Sequence, residues 1–360
     1  MATRSAEEWR DLAVDAVLDF VESEGAFVIP ELEAKLADHA WGQYPPIQPH
    51  HLTTARLRLV HEGTLEHTSA PTRGGGMIAT YTGPDPTKGA RRAAARKRLL
   101  HSRYLSWTKR TSDWDPAPIG SALERVVFRS VVSSAPHGYR LLNPAGGEVG
   151  TMFNQRVPGG PIDCVAVHSA LDDYGLPSAS TFVLVEAKNL RQWIYPSTQE
   201  LFQLLDKAAS LQTAHPEVRF APVLVCRRIN PITASFARHV GFHIIETRVQ
   251  YVRPIVRETE GGARKFDEVN DELGYGVVAN DDAVTPMINQ FRRTLPPRLD
   301  EVSERWRKFA DHPEVPDLLA YLRDDEVQGR NRRNSLNALA AIAEQVHEEE
   351  ARWGDGETPF

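Results

Sequence analysis

Glu-Ala-Lys occurs twice in the chain, at 33–35 within ELEAKL and at 186–188 within LVEAKN. An E-x-K triplet arises about once by chance in a chain of this length and charge content, so only context separates the copies. PELEAKLADH has a helical pattern in which positions i and i+2 point to different sides, and Glu33 and Lys35 are expected on a solvated helix face. Glu186 and Lys188 instead end the apolar run TFVLV, which has the character of a strand. Period-two alternation puts the two on one face, about 7 Å apart, while Val183, Val185 and Ala187 pack the other way. Charged groups at the end of a buried strand are costly unless matched to each other or to a ligand. Asp163, in PGGPIDCVAV, is a second carboxylate entering an apolar strand. The interval to Glu186, spanned by the loop SALDDYGLPSAS, suits neighbouring strands that bring the carboxylates together at one edge of a sheet. Upstream, Glu124 borders the apolar stripe of an amphipathic helix. Hard oxygen donors of this kind suit Mg²⁺, which takes one or two carboxylates and fills its shell with water and phosphate.

The elements that must position these residues alternate between helix and strand from about 116 to 255. IGSALERVVFRSVV carries Ile119, Leu123, Val126, Val127 and Val131 at helical spacing. GPIDCVAVHSA and TFVLVEAKN are strands, and STQELFQLLDKAASL is an amphipathic helix with Leu201, Leu204, Leu205, Ala208 and Leu211 inward. FAPVLVCRR is the almost wholly apolar run of a buried central strand. ITASFARHVGF is a helix ending at Gly241, and HIIET is a short final strand. Such alternation predicts an α/β sheet with helices on its faces.

The set Glu124, Asp163, Glu186 and Lys188 resembles the PD-(D/E)xK nuclease superfamily over roughly 119–247. In that superfamily a helix glutamate precedes an aspartate on the second strand and an E-x-K pair on the third, followed by helix, buried strand and helix. APVLVCRRINPITASFARHVGFHIIE is similar to the tail of the core in Mrr-type restriction endonucleases. The motif proline departs from the usual pattern, standing two residues before Asp163 (Pro161, Ile162) rather than one. The resemblance implies a restriction-endonuclease-like mixed sheet flanked by helices and Mg²⁺-dependent (or Mn²⁺-dependent) hydrolysis of DNA, in restriction or defence against foreign DNA. It further implies that Asp163, Glu186 and the Ala187 carbonyl hold the ion. Lys188 would orient and help deprotonate the attacking water or stabilise the developing charge, Glu124 would orient the ligands, hold a water of a second ion or be a solvated helix acid, and Gln199 would be a supporting glutamine. The alternatives are a DNA-binding regulator with a catalytically silent core, and a repair or junction-resolving nuclease.

The first eighty residues follow the order helix, helix, helix, hairpin. Trp9, Leu12, Ala13, Ala16, Val17 and Phe20 recur at helical spacing, a second helix starts at Pro30, and HHLTTARLRLVHEG forms a third. TLEHTS and MIATYTG are strands around the glycine-rich PTRGGG. This order resembles a winged helix-turn-helix, in which Arg56 and Arg58 on the third helix and Arg73 in the wing are available for DNA. Segment 88–110 then carries nine basic residues and no acid, which leaves −15 on the remainder of a chain whose net charge is −6. Arg92, Arg96 and Arg103 form one stripe of this helical connector, a candidate phosphate-binding surface. The expected divisions are 1–84 (winged-helix-like), 85–115 (basic connector), 116–255 (core) and 256–360 (mostly helical). RETEGGARKFDE is expected as a loop, and helical character is expected near 283–294, 298–310, 315–324 and 332–352.

With 41% hydrophobic and 25% charged residues the composition is that of a soluble globular chain. No run of eighteen apolar residues exists and the N-terminus lacks a signal-peptide h-region, so membrane partners are excluded and a cytoplasmic location is expected. Cys164 and Cys226 lie in apolar runs and are expected as buried thiols. No C-x-x-C, H-E-x-x-H or Walker A spacing is present, so zinc and nucleotide-triphosphate binding are unsupported. His215, His239 and His243 are expected to be structural or exposed. A double-strand cut from one active site per chain would favour a homodimer.

Overall fold

The computed structural model describes residues 4–72, 76–108, 119–169, 179–196, 198–253, 261–279, 284–324 and 329–354. The chain divides into two compact units, one of Met1–Ile119 with Arg248–Ala279, the other of Gly120–Thr247 with Asn280–Phe360. This differs from four consecutive segments, because the chain leaves the first unit, builds most of the second and returns to the first before finishing.

The first unit opens with α1 (Ala6–Glu24), whose Ser5–Glu8 capping box satisfies its first turn and whose Gly25 ends it in the left-handed conformation. Helices α2 (Ile29–Leu36) and α3 (Pro49–His61) follow, then the antiparallel pair β1 (Glu66–Pro71) and β2 (Met77–Thr82). The helix–helix–helix–hairpin order is as expected. Basic helix α4 (Lys88–Thr108) is no free-standing connector. Its Leu100 and Tyr104 are buried in one cluster with Val28, Ile78, Phe266 and Leu273.

The second unit is built on a five-stranded mixed sheet. Helix α5 (Gly120–Ser133) leads to β3 (Tyr139–Leu141), and a short ribbon of β4 (Thr151–Met152) and β5 (Gln155–Arg156) precedes β6 (Cys164–His168) and β7 (Thr181–Lys188). Helix α6 (Glu200–Ala214), β8 (Arg219–Cys226), α7 (Pro231–His239) and β9 (His243–Glu246) complete the alternation. The strand order is β3-β6-β7-β8-β9; β3, β6 and β7 pair antiparallel, while β7, β8 and β9 run parallel. This is an α/β architecture. Two-sided burial explains the apolar β8, whose Phe220 through Cys226 are all buried.

The chain then returns to the first unit with β10 (Gln250–Val252), α8 (Gly262–Leu273) and β11 (Val277–Ala279), β10 and β11 pairing in parallel. Helix α8 corrects the loop expected in RETEGGARKFDE from Gly262 on, and 257–260 lie outside the described residues. The glycines Gly261 and Gly262 obscured it, but Phe266, Val269 and Leu273 share a helix face and are buried. The remaining helices belong to the second unit: α9 (Thr285–Asn289), α10 (Leu299–Ala310), α11 (Val315–Arg323) and α12 (Gly329–Gly354). Helices α10, α11 and α12 cover the α6 face of the sheet, with Trp306, Phe309, Val315, Leu319 and Leu339 fully buried beside Leu201 and Leu224, whereas α9 packs on α5. Gly241, at φ +88°, sits where a Cβ would lie 2.4 Å from the backbone nitrogen of Trp306, so only glycine permits this approach. Cys164 and Cys226 are buried free thiols, as expected. Among the described residues no helix is long and apolar enough to cross a membrane.

Candidate active site at the end of the central strand

The register of β6 against β7 dictates the site. Cys164 lies opposite Val185, His168 opposite Thr181, and one step beyond the last pair Asp163 meets Glu186. Directly opposed residues of an antiparallel pair share a face, so the two carboxylates converge at the strand ends, in the middle of the sheet rather than at a lateral edge. Asp163 Oδ2 accepts a hydrogen bond of 2.7 Å from the backbone N–H of Ala187, which continues the pairing where the ladder stops. Val183, Val185 and Ala187 are buried on the opposite side, as the alternation requires.

Glu186 is only 2% exposed. Its Oε1 accepts from Lys188 Nζ at 2.9 Å, and both its oxygens stand 3.3 Å from Lys207 Nζ. Lys207, on α6, also donates to the carbonyl of Pro161 at 2.6 Å. It thereby ties the approach to Asp163 to the end of β7. This lysine was not among the sequence candidates. The available signal was its position eight residues after Gln199 and four after Gln203, which puts all three along one side of α6 beside the apolar stripe.

Burial, then the Glu186 charge, push the Asp163 carboxyl up to about 7, against the pull of the Ala187 N–H and Lys188. Glu124, half-buried on α5, is raised as well, by burial and then by Glu148. Carboxylates crowded until one retains its proton near neutrality form a site that a cation would relieve. Among the described residues no three His, Cys, Asp or Glu side chains form a group able to hold a metal ion by themselves. Asp163 and Glu186 nevertheless match the one or two carboxylates that Mg²⁺ uses when waters and phosphate supply the rest. The donor set therefore fits a hard divalent cation. Gln199 stands at the N-cap of α6, half-buried, and Ala187 is buried with its N–H committed to Asp163. Of the histidines, His239 is exposed and His243 is buried in β9, its imidazole pushed down to about 4 by burial and then by Arg298.

A cleft of about 710 Å³ opens beside Asp163, lined by Glu124, Arg125, Phe128 and Arg129 of α5 and by Gly146 and Gly147. Backbone and side chains of the second unit thus supply acids, two lysines and an adjacent open space.

The basic residues of the first unit are distributed differently from expectation. Arg56 donates to the Tyr81 hydroxyl at 2.7 Å and lies over its ring at 5.0 Å, anchoring α3 to the hairpin. Arg58 is exposed and pairs with Glu62 at 2.8 Å. Arg73 lies outside the described residues, as do Lys109 and Arg110. Arg96 forks onto Glu272 at 2.6 Å and Arg103 binds Glu268 at 2.5 Å, both acids on α8. Lys97 is buried against Glu24 at 2.7 Å and Glu31 at 2.6 Å. The acids absent from 88–110 itself are supplied from elsewhere in the chain, and only Arg92 of the expected stripe is fully exposed. The other Glu-Ala-Lys is corrected in the same way. Lys35 is half-buried and bridges Glu24 at 3.0 Å and Glu31 at 3.2 Å, so it belongs to an internal ion cluster, not to a solvated face. Burial holds the Glu31 carboxyl above its ordinary value despite both lysines.

Comparison with protein-family models, with curated proteins and with solved structures finds no match.

Proposed function

We propose that the protein is a metal-dependent endonuclease that hydrolyses DNA phosphodiester bonds, with 120–247 forming a PD-(D/E)xK core. One observation carries this reading: the strand register that opposes Asp163 to Glu186 with Lys188 two residues on, at the end of a buried strand. The order α5, β3, β6, β7, α6, β8 also follows the restriction-endonuclease-like pattern, with Glu124 on its first helix. The N-terminal helices and hairpin resemble a winged helix, for which DNA contact would rest on Arg58, Arg92 and other exposed cations of α4 rather than on Arg56, Arg96 and Arg103.

In this reading Asp163, Glu186 and the carbonyl of Ala187 would hold Mg²⁺ or Mn²⁺. Bound there, the ion would polarise the phosphate and lower the pKa of its water. Lys188, less buried than Lys207, orients the attacking water and counters charge on the phosphoryl oxygens. Lys207 keeps Glu186 aimed. Glu124 lines the cleft from α5, where it can orient a water or a neighbouring ligand. Restriction of foreign DNA suits such a core joined to a DNA-binding unit, and a double-strand break would take two copies of the chain. The competing reading, a DNA-binding protein with a silent core, draws on the two ammonium groups that already neutralise Glu186.

Incubation with plasmid and Mg²⁺ separates them. The wild type should nick or linearise DNA, and Asp163→Ala and Lys188→Ala should bind it without cutting. Absence of cleavage on plasmid, linear, branched and methylated DNA with both Mg²⁺ and Mn²⁺ would sink the nuclease reading.

A further inference from the structure

The cleft beside Asp163 has walls of opposite character. Its lining includes the carboxylates of Glu124 and Asp163 and, along α5, Arg125 and Arg129, one helical turn apart on the same side. The half-buried ring of Phe128 lines it too. The facing wall is the backbone of Ala145–Gly147. There Asn143 Nδ2 donates to the Gly146 carbonyl at 2.7 Å and to the Gly147 carbonyl at 3.4 Å, which fixes the rim. Gly146 and Gly147 have φ of +86° and +88°, a left-handed backbone that favours glycine, and the Cα of Gly146 lies close enough to Phe128 that a Cβ there would be in van der Waals contact with the ring. The volume, about 710 Å³, is that of a site for a molecule or chain segment of small-ligand size.

We propose that this cleft seats one strand of a polynucleotide, with Arg125 and Arg129 clamping phosphates on one side of the reacting one. The proposal rests on the nuclease reading for the identity of the reacting phosphate, but not for the binding itself. Arginine suits the task because its planar fork meets phosphate oxygens with two parallel hydrogen bonds. The glycine wall lets a sugar–phosphate backbone pass close to the main chain. The aromatic floor offers apolar contact to a sugar or base without reading base edges, so the clamp is sequence-independent. The polarity of the cleft orients the strand. Phosphates settle beside the arginines, and the next phosphate reaches Asp163, where a cation is needed to admit it. Arg125 and Arg129 are positioning residues: they hold substrate and take no part in bond making or breaking.

The test uses the full-length protein in EDTA, so that binding is read without cleavage. Fluorescence anisotropy with a labelled single-stranded oligonucleotide is measured across a KCl series for the wild type, Arg125→Gln, Arg129→Gln and the double variant. Each substitution should weaken binding about tenfold and make the slope of log Kd against log[KCl] shallower by about 0.7. With Mg²⁺ present the double variant should raise KM and leave kcat within about twofold of wild type. Thermal unfolding is followed alongside; if Arg129→Gln lowers Tm, the exposed Arg125→Gln decides. Wild-type affinity and slope in the double variant would overturn the clamp, as would failure of the wild type to bind any oligonucleotide. Binding that depends on both arginines without cleavage would uphold the cleft while removing the nuclease reading. Cleavage with unchanged KM in the double variant would do the reverse.

Discussion

Replacing Lys207 by methionine keeps the length and apolar stem of the side chain while removing the ammonium that spans Glu186 and the Pro161 carbonyl. Lys207 is 7% exposed and Glu186 2%, so neither water nor salt can substitute for the lost contact. Breaking a buried ion pair by deleting one partner costs about 3–5 kcal/mol, since the remaining charge is stranded. Glu186 retains Lys188 at 2.9 Å, which places the expected loss at the low end, about 3 kcal/mol. A domain the size of the second unit loses about 2–4 °C in Tm per kcal/mol, so the variant should melt roughly 6–12 °C lower. A double-mutant cycle with Glu186→Gln isolates the pair: in the Gln background the lysine change should cost about 1 kcal/mol, giving a coupling of about 2 kcal/mol. Scanning calorimetry or urea unfolding supplies the numbers. A single variant that melts within about 1 °C of wild type, or a cycle that closes to zero, would refute the claim that α6 holds the strand end through this lysine. Lys188→Met is the contrast. Its less buried ammonium should matter far less for stability and far more for cleavage.

Three further outcomes follow from the same geometry. The Asp163 carboxyl, raised from 3.8 to about 7, binds its proton more tightly in the folded chain. Its stabilising effect is therefore complete below about pH 4 and disappears as pH rises through 7. Asp163→Asn should accordingly raise stability by about 1–2 kcal/mol near pH 8 without metal and change nothing near pH 4, a modest figure because the group is only partly buried and solvent screens its charge. Identical pH–Tm curves for the two proteins would contradict the raised value. Arg96→Gln with Arg103→Gln removes the links from α4 to α8 and should cost the first unit up to about 1 kcal/mol. Neutralising Lys88, Arg91 and Arg92, by contrast, should leave melting unchanged and flatten the salt dependence of duplex binding by about 0.9 per lost phosphate contact. Should the first pair flatten the slope and the second set leave it alone, Arg96 and Arg103 rather than the exposed cations are the DNA contacts. Finally, Gly241→Ala forces a side chain against the backbone of Trp306 at a left-handed φ and should cost about 3 kcal/mol or more in urea unfolding. A cost under about 1 kcal/mol would mean that α10 can shift away.

Local pattern reached far into the second unit. Period-two alternation in TFVLVEAKN put Glu186 and Lys188 on one face of a strand, and the interval to IDCVAV put Asp163 on its neighbour, because both facts depend only on backbone geometry and chain connectivity. Amphipathic spacing likewise located α5, α6, α7 and α10. What no local pattern contained were contacts between distant segments. Lys207 is 21 residues from Glu186, and its role becomes visible only when α6 lies across the end of β7. Arg96 finds Glu272 across 176 residues and Arg103 finds Glu268 across 165, so a segment that is unbalanced in sequence is balanced in space. Lys97 meets Glu31 across 66 residues in the same way, and joins the local i,i+4 pair Lys35–Glu31 to turn a supposed surface triplet into a buried cluster. The sequence by itself determined which residues could carry chemistry at the strand ends, since alternation and burial are local. Tertiary structure alone decided which charges are already spent on one another, since Coulomb attraction acts through space and takes no account of chain order.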